Sequence, residues 1–208
     1  MQGKFITIEG CEGVGKSTQL KFLREYFEEK GVDAVFTREP GGTELAEKIR
    51  KVILDADNKE MTDVTELLLY AAARRQHTEQ LIIPALKAGK VVVCDRYADS
   101  TTAYQGYARG IDVELIRSLN AVAMAGVKID VTLFLDLPPE KGFARKGGAD
   151  RKDRLENEKL SFHNKVYEGY LAIAAAEQDR VRRIDASKTA DEVFESIKAV
   201  LEEIGADK

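Results

Sequence analysis

Residues Gly10-Cys-Glu-Gly-Val-Gly-Lys-Ser17 follow a short β-branched run, Phe5–Glu9, and lead into a helical pattern over Ser17–Lys30. No other feature of the chain narrows its fold as far. The spacing G-x-x-x-x-G-K-S, entered from a strand and left through a helix, describes a loop that wraps phosphate. Its glycines let the backbone curl so that N–H groups face phosphate oxygens. The helix behind it adds the positive end of its dipole. Gly10, Cys11, Glu12, Gly13, Val14, Gly15, Lys16, Ser17 and Thr18 are therefore the candidate ATP-binding residues. Lys16 supplies a point charge for the β- and γ-phosphates, and Ser17 is a candidate Mg2+ ligand.

Strand-like and helix-like segments alternate along the rest of the chain. Ala34–Thr37, Val91–Asp95, Val131–Leu137 and Val181–Asp185 read as further strands. Thr43–Leu54, Thr62–Lys87 with a bend at Pro84, Asp112–Ala125, Leu155–Glu177 and Ala190–Ile204 read as helices. Pro138-Pro139 opens one more. Five strands joined by helical crossovers predict an α/β fold of the P-loop NTPase type, a five-stranded parallel sheet with helices on both faces. Ligands of such sheets bind beyond the carboxyl ends of the strands. Three polar clusters fall there: Gly10–Ser17, Arg38–Thr43 and Asp95–Gln105. The stretch Lys146–Asp153 is polar and contains glycine, and reads as a loop. At 208 residues the chain fits a single domain, 1–208, with a lid at approximately 145–154.

Composition excludes several function classes. A net charge of -4 argues against nucleic acid and anionic membrane as partners. No apolar run approaches the ~18 residues of a membrane span, and Phe5–Ile8 is too short for the core of a signal peptide. The 2 cysteines, Cys11 and Cys94, lack a C-x-x-C spacing and point to a reducing, cytoplasmic setting. Cys11 reads as a small loop filler. His77 and His163 lie far apart, and neither suggests a metal site or a triad.

Asp95 ends a strand downstream of the phosphate loop, where an acidic residue holds Mg2+ or caps a helix. A guanine-reading N-K-x-D segment is absent: Asn58-Lys59 is followed by Glu-Met, and Asn164-Lys165 by Val-Tyr. Arg38 and Arg96 stand just beyond strands, and Arg145, Arg151 and Arg154 cluster in and beside the polar loop. Arginine forks suit phosphate, so a second phosphate-bearing substrate fits this set. Arg74, on a helix, is a weaker candidate. Tyr70 and Tyr104, at helical spacing, serve equally well as core. A nucleotide-binding protein without turnover is the competing class.

Four segments in order carry a resemblance. Thr37-Arg-Glu-Pro-Gly-Gly-Thr43, Tyr70-Ala-Ala-Ala-Arg-Arg-Gln-His77, Val93-Cys-Asp-Arg-Tyr-Ala-Asp-Ser-Thr-Thr-Ala-Tyr-Gln105 and Asp153-Arg-Leu-Glu156 resemble the motifs of the thymidylate kinase family. The resemblance implies transfer of the ATP γ-phosphoryl group to dTMP, giving dTDP and ADP, in a homodimer. It implies that Arg38 and Arg96 hold the dTMP phosphate, Tyr70 stacks on thymine, and Arg74 hydrogen-bonds the base. Ser100, Thr101 and Gln105 line the base and sugar pocket, Tyr104 lies under the deoxyribose, and Glu12 reaches the 3′-hydroxyl. Catalysis then falls to Lys16, Asp95, Arg96, Arg151 and Arg154, with Mg2+ on Ser17 and Asp95. The family usually has Asp where Ala73 stands, which predicts a missing contact to Arg74. Gly13 replaces a phosphate-loop arginine of the eukaryotic form, so the lid arginines mark the bacterial type. Arg151 is the expected arginine on the transferring group, with Arg154 and Arg145 as alternatives.

Overall fold

The computed structural model describes residues 3–147 and 153–208. Five strands, β1 (Phe5–Glu9), β2 (Ala34–Arg38), β3 (Val91–Asp95), β4 (Val131–Asp136) and β5 (Val181–Asp185), form one parallel sheet in the order β2-β3-β1-β4-β5. The three inner strands are buried almost throughout, whereas β2 and β5 are partly exposed, as edges should be. Alternate residues of β3 point to opposite faces. Val91 and Val93 enter the larger core with Leu23, Val166 and Ile197; Val92 and Cys94 enter a smaller one with Phe5 and Ile82.

The helices are α1 (Lys16–Lys30), α2 (Glu44–Leu54), α3 (Asp63–His77), α4 (Ile83–Lys87), α5 (Ala98–Thr101), α6 (Val113–Met124), α7 (Pro139–Lys146), α8 (Leu160–Ala176) and α9 (Ala190–Ile204). Local sequence starts and stops them. Thr43 and Thr62 cap α2 and α3 by accepting from backbone N–H groups, and Thr189 forms a capping box with Glu192 on α9. Gly31 ends α1 in a left-handed conformation.

The structure corrects the sequence expectation in three places. The bend near Pro84 is a π-helical stretch, Thr78–Ile82, in which the Ile83 N–H reaches back to the Thr78 carbonyl. The widened turn leads into a proline that has no N–H to give. The polar cluster after β3 is itself helical: α5 continues into a second π stretch, Thr102–Ala108. Its buried polar residues conceal the usual apolar period. Helix α8 begins at Leu160 rather than Leu155, because Arg154–Asn157 is a run of turns.

Chain winding places the site. From central β1 the chain moves out to β2, returns to β3, and then crosses to β4 on the other side of β1. The loop after β1 thus lies where the winding reverses, the position at which open α/β sheets bind ligands.

Candidate active site

One cavity of about 690 Å³ runs from the loop after β1 to α3 and the α5 region. Its donor end is built mainly from backbone. Gly13 has φ 71, and a Cβ there would lie 2.0 Å from the Gly142 carbonyl oxygen of α7. A Cβ on Gly142 would lie 2.2 Å from the Glu12 carbonyl. Helix α7 therefore braces the loop through a backbone contact that only two glycines permit. Lys16 is buried, and its Nζ donates to the carbonyls of Gly10 at 3.0 Å and Cys11 at 2.8 Å. Burial, reinforced by Arg96, lowers its ammonium pKa. Burial pushes the Cys11 thiol up to about 12, so it stays protonated.

Ser17 and Asp95 both line the cavity. Asp95 Oδ1 is buried with no hydrogen-bond partner among the described residues. No group of three or more His, Cys, Asp or Glu suited to a metal occurs among them. Two oxygen ligands with room for phosphate and water fit Mg2+, which keeps several waters and substrate oxygens in its shell.

The acceptor end is built from side chains. Arg96 sits at φ 66, a left-handed conformation costing roughly 1–2 kcal/mol in a non-glycine residue. The surroundings hold it there. Its N–H donates to the Ile8 carbonyl at 2.9 Å, and its Nη1 donates to Ser100 Oγ at 3.3 Å and Tyr170 Oη at 3.2 Å. Nη2 pairs with Glu12, and the guanidinium lies 5.3 Å from the centre of the Tyr104 ring. Burial alone would raise the Glu12 pKa, but Arg96, Lys16 and Lys146 outweigh it and hold the carboxyl at about 2.

Arg74 is fully buried and donates to Glu39 Oε2 (2.7 Å), Asn120 Oδ1 (2.7 Å), the Tyr97 carbonyl (3.0 Å) and Thr101 Oγ1 (2.9 Å). Its carboxylate partner, Glu39, comes from the β2–α2 loop. Glu39 Oε1 also pairs with His77 Nδ1 at 3.0 Å, and His77 Nε2 lies 2.7 Å from Thr37 Oγ1. Tyr70, Thr101, Tyr104 and Gln105 line the same end of the cavity. Gln105 Nε2 donates to the buried Glu66 at 2.7 Å. Arg38 stands half-exposed at the cavity wall, bonded to Glu47 at 2.9 Å.

Of the loop arginines, Arg145 lines the cavity and donates to the carbonyls of Ala186 (2.7 Å) and Ser187 (3.2 Å). Arg154 turns elsewhere, pairing with Glu66 and donating to the Ile53 carbonyl at 3.2 Å, beside a small hollow lined by Ala56, Asp57 and Lys59. Arg151 lies outside the described residues. Sequence reading overlooked Glu9, Glu39, Glu66, His77 and Asn120. Only Glu39 gave a signal, as an acidic residue inside the polar cluster that follows β2.

The chain is similar to known proteins over almost its whole length. The thymidylate kinase family model matches residues 8–197. Thymidylate kinase of Desulfosudis oleivorans is 51% identical over 207 residues, covering 96% of this chain and 97% of that one. The Geobacillus sp. enzyme is 49% identical over 207 residues, covering 98% and 99%. The crystal structure of thymidylate kinase from Ehrlichia chaffeensis superposes with a TM-score of 0.79 at 35% identity, covering 97% of this chain and 99% of that one. With its phosphate loop, parallel sheet and full-length relatives in agreement, the chain belongs to the thymidylate kinase family.

Proposed function

We propose that the chain transfers the γ-phosphoryl group of ATP to dTMP, releasing dTDP and ADP. An oxygen of the dTMP phosphate forms the new bond to the γ-phosphorus. The bond from that phosphorus to the β-bridging oxygen breaks, and its electron pair leaves with ADP. The acceptor is already an oxyanion, so no strong base is needed, and positioning and charge stabilisation carry the reaction. One observation supports this reading above the others: a single cavity holds the phosphate loop with Lys16 at one end and Arg96, Arg74 and Thr101 at the other.

In this reading Gly10–Thr18 wrap the ATP phosphates, with Lys16 on the β- and γ-groups. Ser17 and Asp95 hold Mg2+, which when bound neutralises phosphate charge. Arg96 and Arg38 hold the dTMP phosphate, Tyr70 stacks on the base, Arg74 hydrogen-bonds the base, and Gln105 lines the pocket. Thr101 and Ser100 line the pocket, Tyr104 lies under the sugar, and Glu12 takes the 3′-hydroxyl. A pocket that hydrogen-bonds a base discriminates strongly, because a wrong base leaves buried groups unpaired.

The lid at 145–154 supplies an arginine to the transferring group. Arg151 is assigned that role, with Arg154 and Arg145 as alternatives. Arg154 is tied to Glu66, and Arg145 to the β5–α9 turn. Arg151→Ala should then lower kcat by about 10³-fold, in the range of transition-state arginines. Near-normal kcat in that variant, with loss in Arg154→Ala, would reverse the assignment.

The unit acts as one kinase domain over 1–208 and as a homodimer. Val64 and Leu68 of α3 and Leu115 and Val122 of α6 are exposed apolar side chains that a subunit contact would cover; sedimentation velocity tests it. Cys11 and Cys94 are free thiols, in keeping with a cytoplasmic location. No helix among the described residues is long and apolar enough to cross a membrane.

The activity test is a coupled ADP-release assay with ATP, Mg2+ and a panel of dTMP, dUMP, UMP, dCMP and thymidine. Strong turnover with dTMP and weaker turnover with dUMP is expected. Preference for another acceptor would overturn the pocket assignment, and no turnover at all would overturn the reaction.

A further inference from the structure

Glu9 ends β1 and is completely buried, yet the chemistry above gives it no part. Its Oε1 accepts the Tyr97 N–H at 2.7 Å. Its Oε2 accepts two hydroxyls, Ser100 Oγ at 2.6 Å and Tyr170 Oη at 2.9 Å. Those same two oxygens are the ones that face Arg96 Nη1, at 3.3 and 3.2 Å.

The donor inventory fixes the direction of this relay. An ionised carboxylate only accepts, and a hydroxyl has one proton to give. With Glu9 ionised, Ser100 and Tyr170 both spend their protons on Oε2 and offer lone pairs to Arg96. Two acceptors then hold one edge of the guanidinium, while Glu12 pairs with Nη2. If Oε2 carries a proton, it donates to one of the hydroxyls. That hydroxyl's own proton then turns to the other hydroxyl, 2.8 Å away, so each oxygen has one lone pair fewer to offer Arg96.

We propose that Glu9 is a positioning residue for phosphoryl acceptance: through the hydroxyls of Ser100 and Tyr170 it sets the orientation in which Arg96 grips the acceptor phosphate. Glu9 itself does not reach the reacting atoms, and its role rests on the assignment of Arg96 to that phosphate. The charged and titratable groups around it are Asp99 from α5, Arg96 and Tyr97 from the turn after β3, Tyr170 from α8, and Arg74 and Cys94 further off. Asp99 is fixed by a two-pronged pair with Arg180. Burial first and Asp99 second raise the Glu9 carboxyl, against Ser100, Arg96 and the Tyr97 N–H, to about 7. The relay therefore changes direction within the neutral range.

The test is initial-rate kinetics of the full chain with Glu9→Gln, Tyr170→Phe and Arg96→Lys. In Glu9→Gln an amide NH2 donates where a carboxylate oxygen accepted. The KM for dTMP should rise about tenfold while the KM for ATP stays within about twofold, as a misaligned group near one substrate predicts. Tyr170→Phe keeps Glu9 and removes one hydroxyl, so it should give a smaller rise, again for dTMP alone. Wild-type kcat/KM for dTMP should show an inflection near 7 that Glu9→Gln lacks. Titration of the dTMP phosphate is common to both profiles and cancels. An unchanged dTMP KM and pH profile in Glu9→Gln, or equal rises for both substrates, would overturn the proposal. If Glu9→Gln does not fold, Tyr170→Phe decides alone: a dTMP KM equal to wild type overturns it. If Arg96→Lys also leaves the dTMP KM unchanged, the assignment of Arg96 has failed. If Arg96→Lys raises it and Glu9→Gln does not, only the role of Glu9 has failed.

Discussion

The two ends of the cavity are built in different ways. In the proposed reading the donor end is nine consecutive residues, 10–18, braced by one backbone contact to α7. The acceptor end is assembled from β1, the β2–α2 loop, α3, the α5 region, α6 and α8. Buried side chains bind these elements together, with Glu9 and Glu39 at the junctions. A backbone cradle suits phosphates, which every nucleoside triphosphate shares. A side-chain network suits a particular base and sugar, because each buried donor must find its own acceptor. The difference teaches that substitutions at the two ends should separate kinetically.

Lys16→Ala should sharpen the comparison most. Loss of a preorganised charge at the transferring phosphate should lower kcat about 10³-fold, with the KM for dTMP within about twofold of wild type. A large rise in the dTMP KM would show that the ends are not separable. Arg74→Ala works at the other end and leaves Glu39 buried without its arginine. Breaking a buried pair in this way costs about 3–5 kcal/mol, which urea unfolding would register. A loss below about 1 kcal/mol would mean that the acceptor network is not stabilised by this pair.

Gly142→Ala tests the brace behind the phosphate loop. A Cβ there meets the Glu12 carbonyl at 2.2 Å, so the loop must shift. The KM for ATP should rise about tenfold, and that for dTMP by a smaller factor through Glu12, which pairs with Arg96.

The smallest effect is on stability against pH. Glu12, held at about 2 against an ordinary 4.5, contributes stability that is present in full above 4.5 and lost as pH falls towards 2. Glu9, raised to about 7, has the opposite sign: the folded state binds the extra proton, so its ionisation lowers stability as pH rises from 4.5 to 7. Glu9→Gln should therefore gain on wild type as pH rises from about 5 to about 8, seen by thermal melts at both values. Glu12→Gln should lose ground above 4.5, and the gap should close on acidification.

Legibility in the sequence follows the same divide. The sheet, its five strands and the phosphate loop were readable because each is a contiguous pattern with a fixed period or spacing. The resemblance supplied Arg74, Tyr104 and Gln105, which spacing alone leaves as possible core. The roles of Glu39, His77 and Asn120 stayed hidden because their pairing spans 35 to 46 positions in the chain. Glu9 stayed hidden because a carboxylate at a strand end looks solvated until the fold buries it. The helix over 98–108 was missed for a related reason: its buried face carries Asp99, Thr101 and Gln105 rather than an apolar stripe.

The most direct test of a backbone-built donor end and a carboxylate-organised acceptor end is Glu39→Gln, with KM measured for both substrates. The substitution keeps size and shape and removes the charge that joins Arg74 to His77. The account predicts about a tenfold rise in the KM for dTMP and less than about a twofold change for ATP. Parallel rises for the two substrates, or a rise for ATP alone, would contradict it.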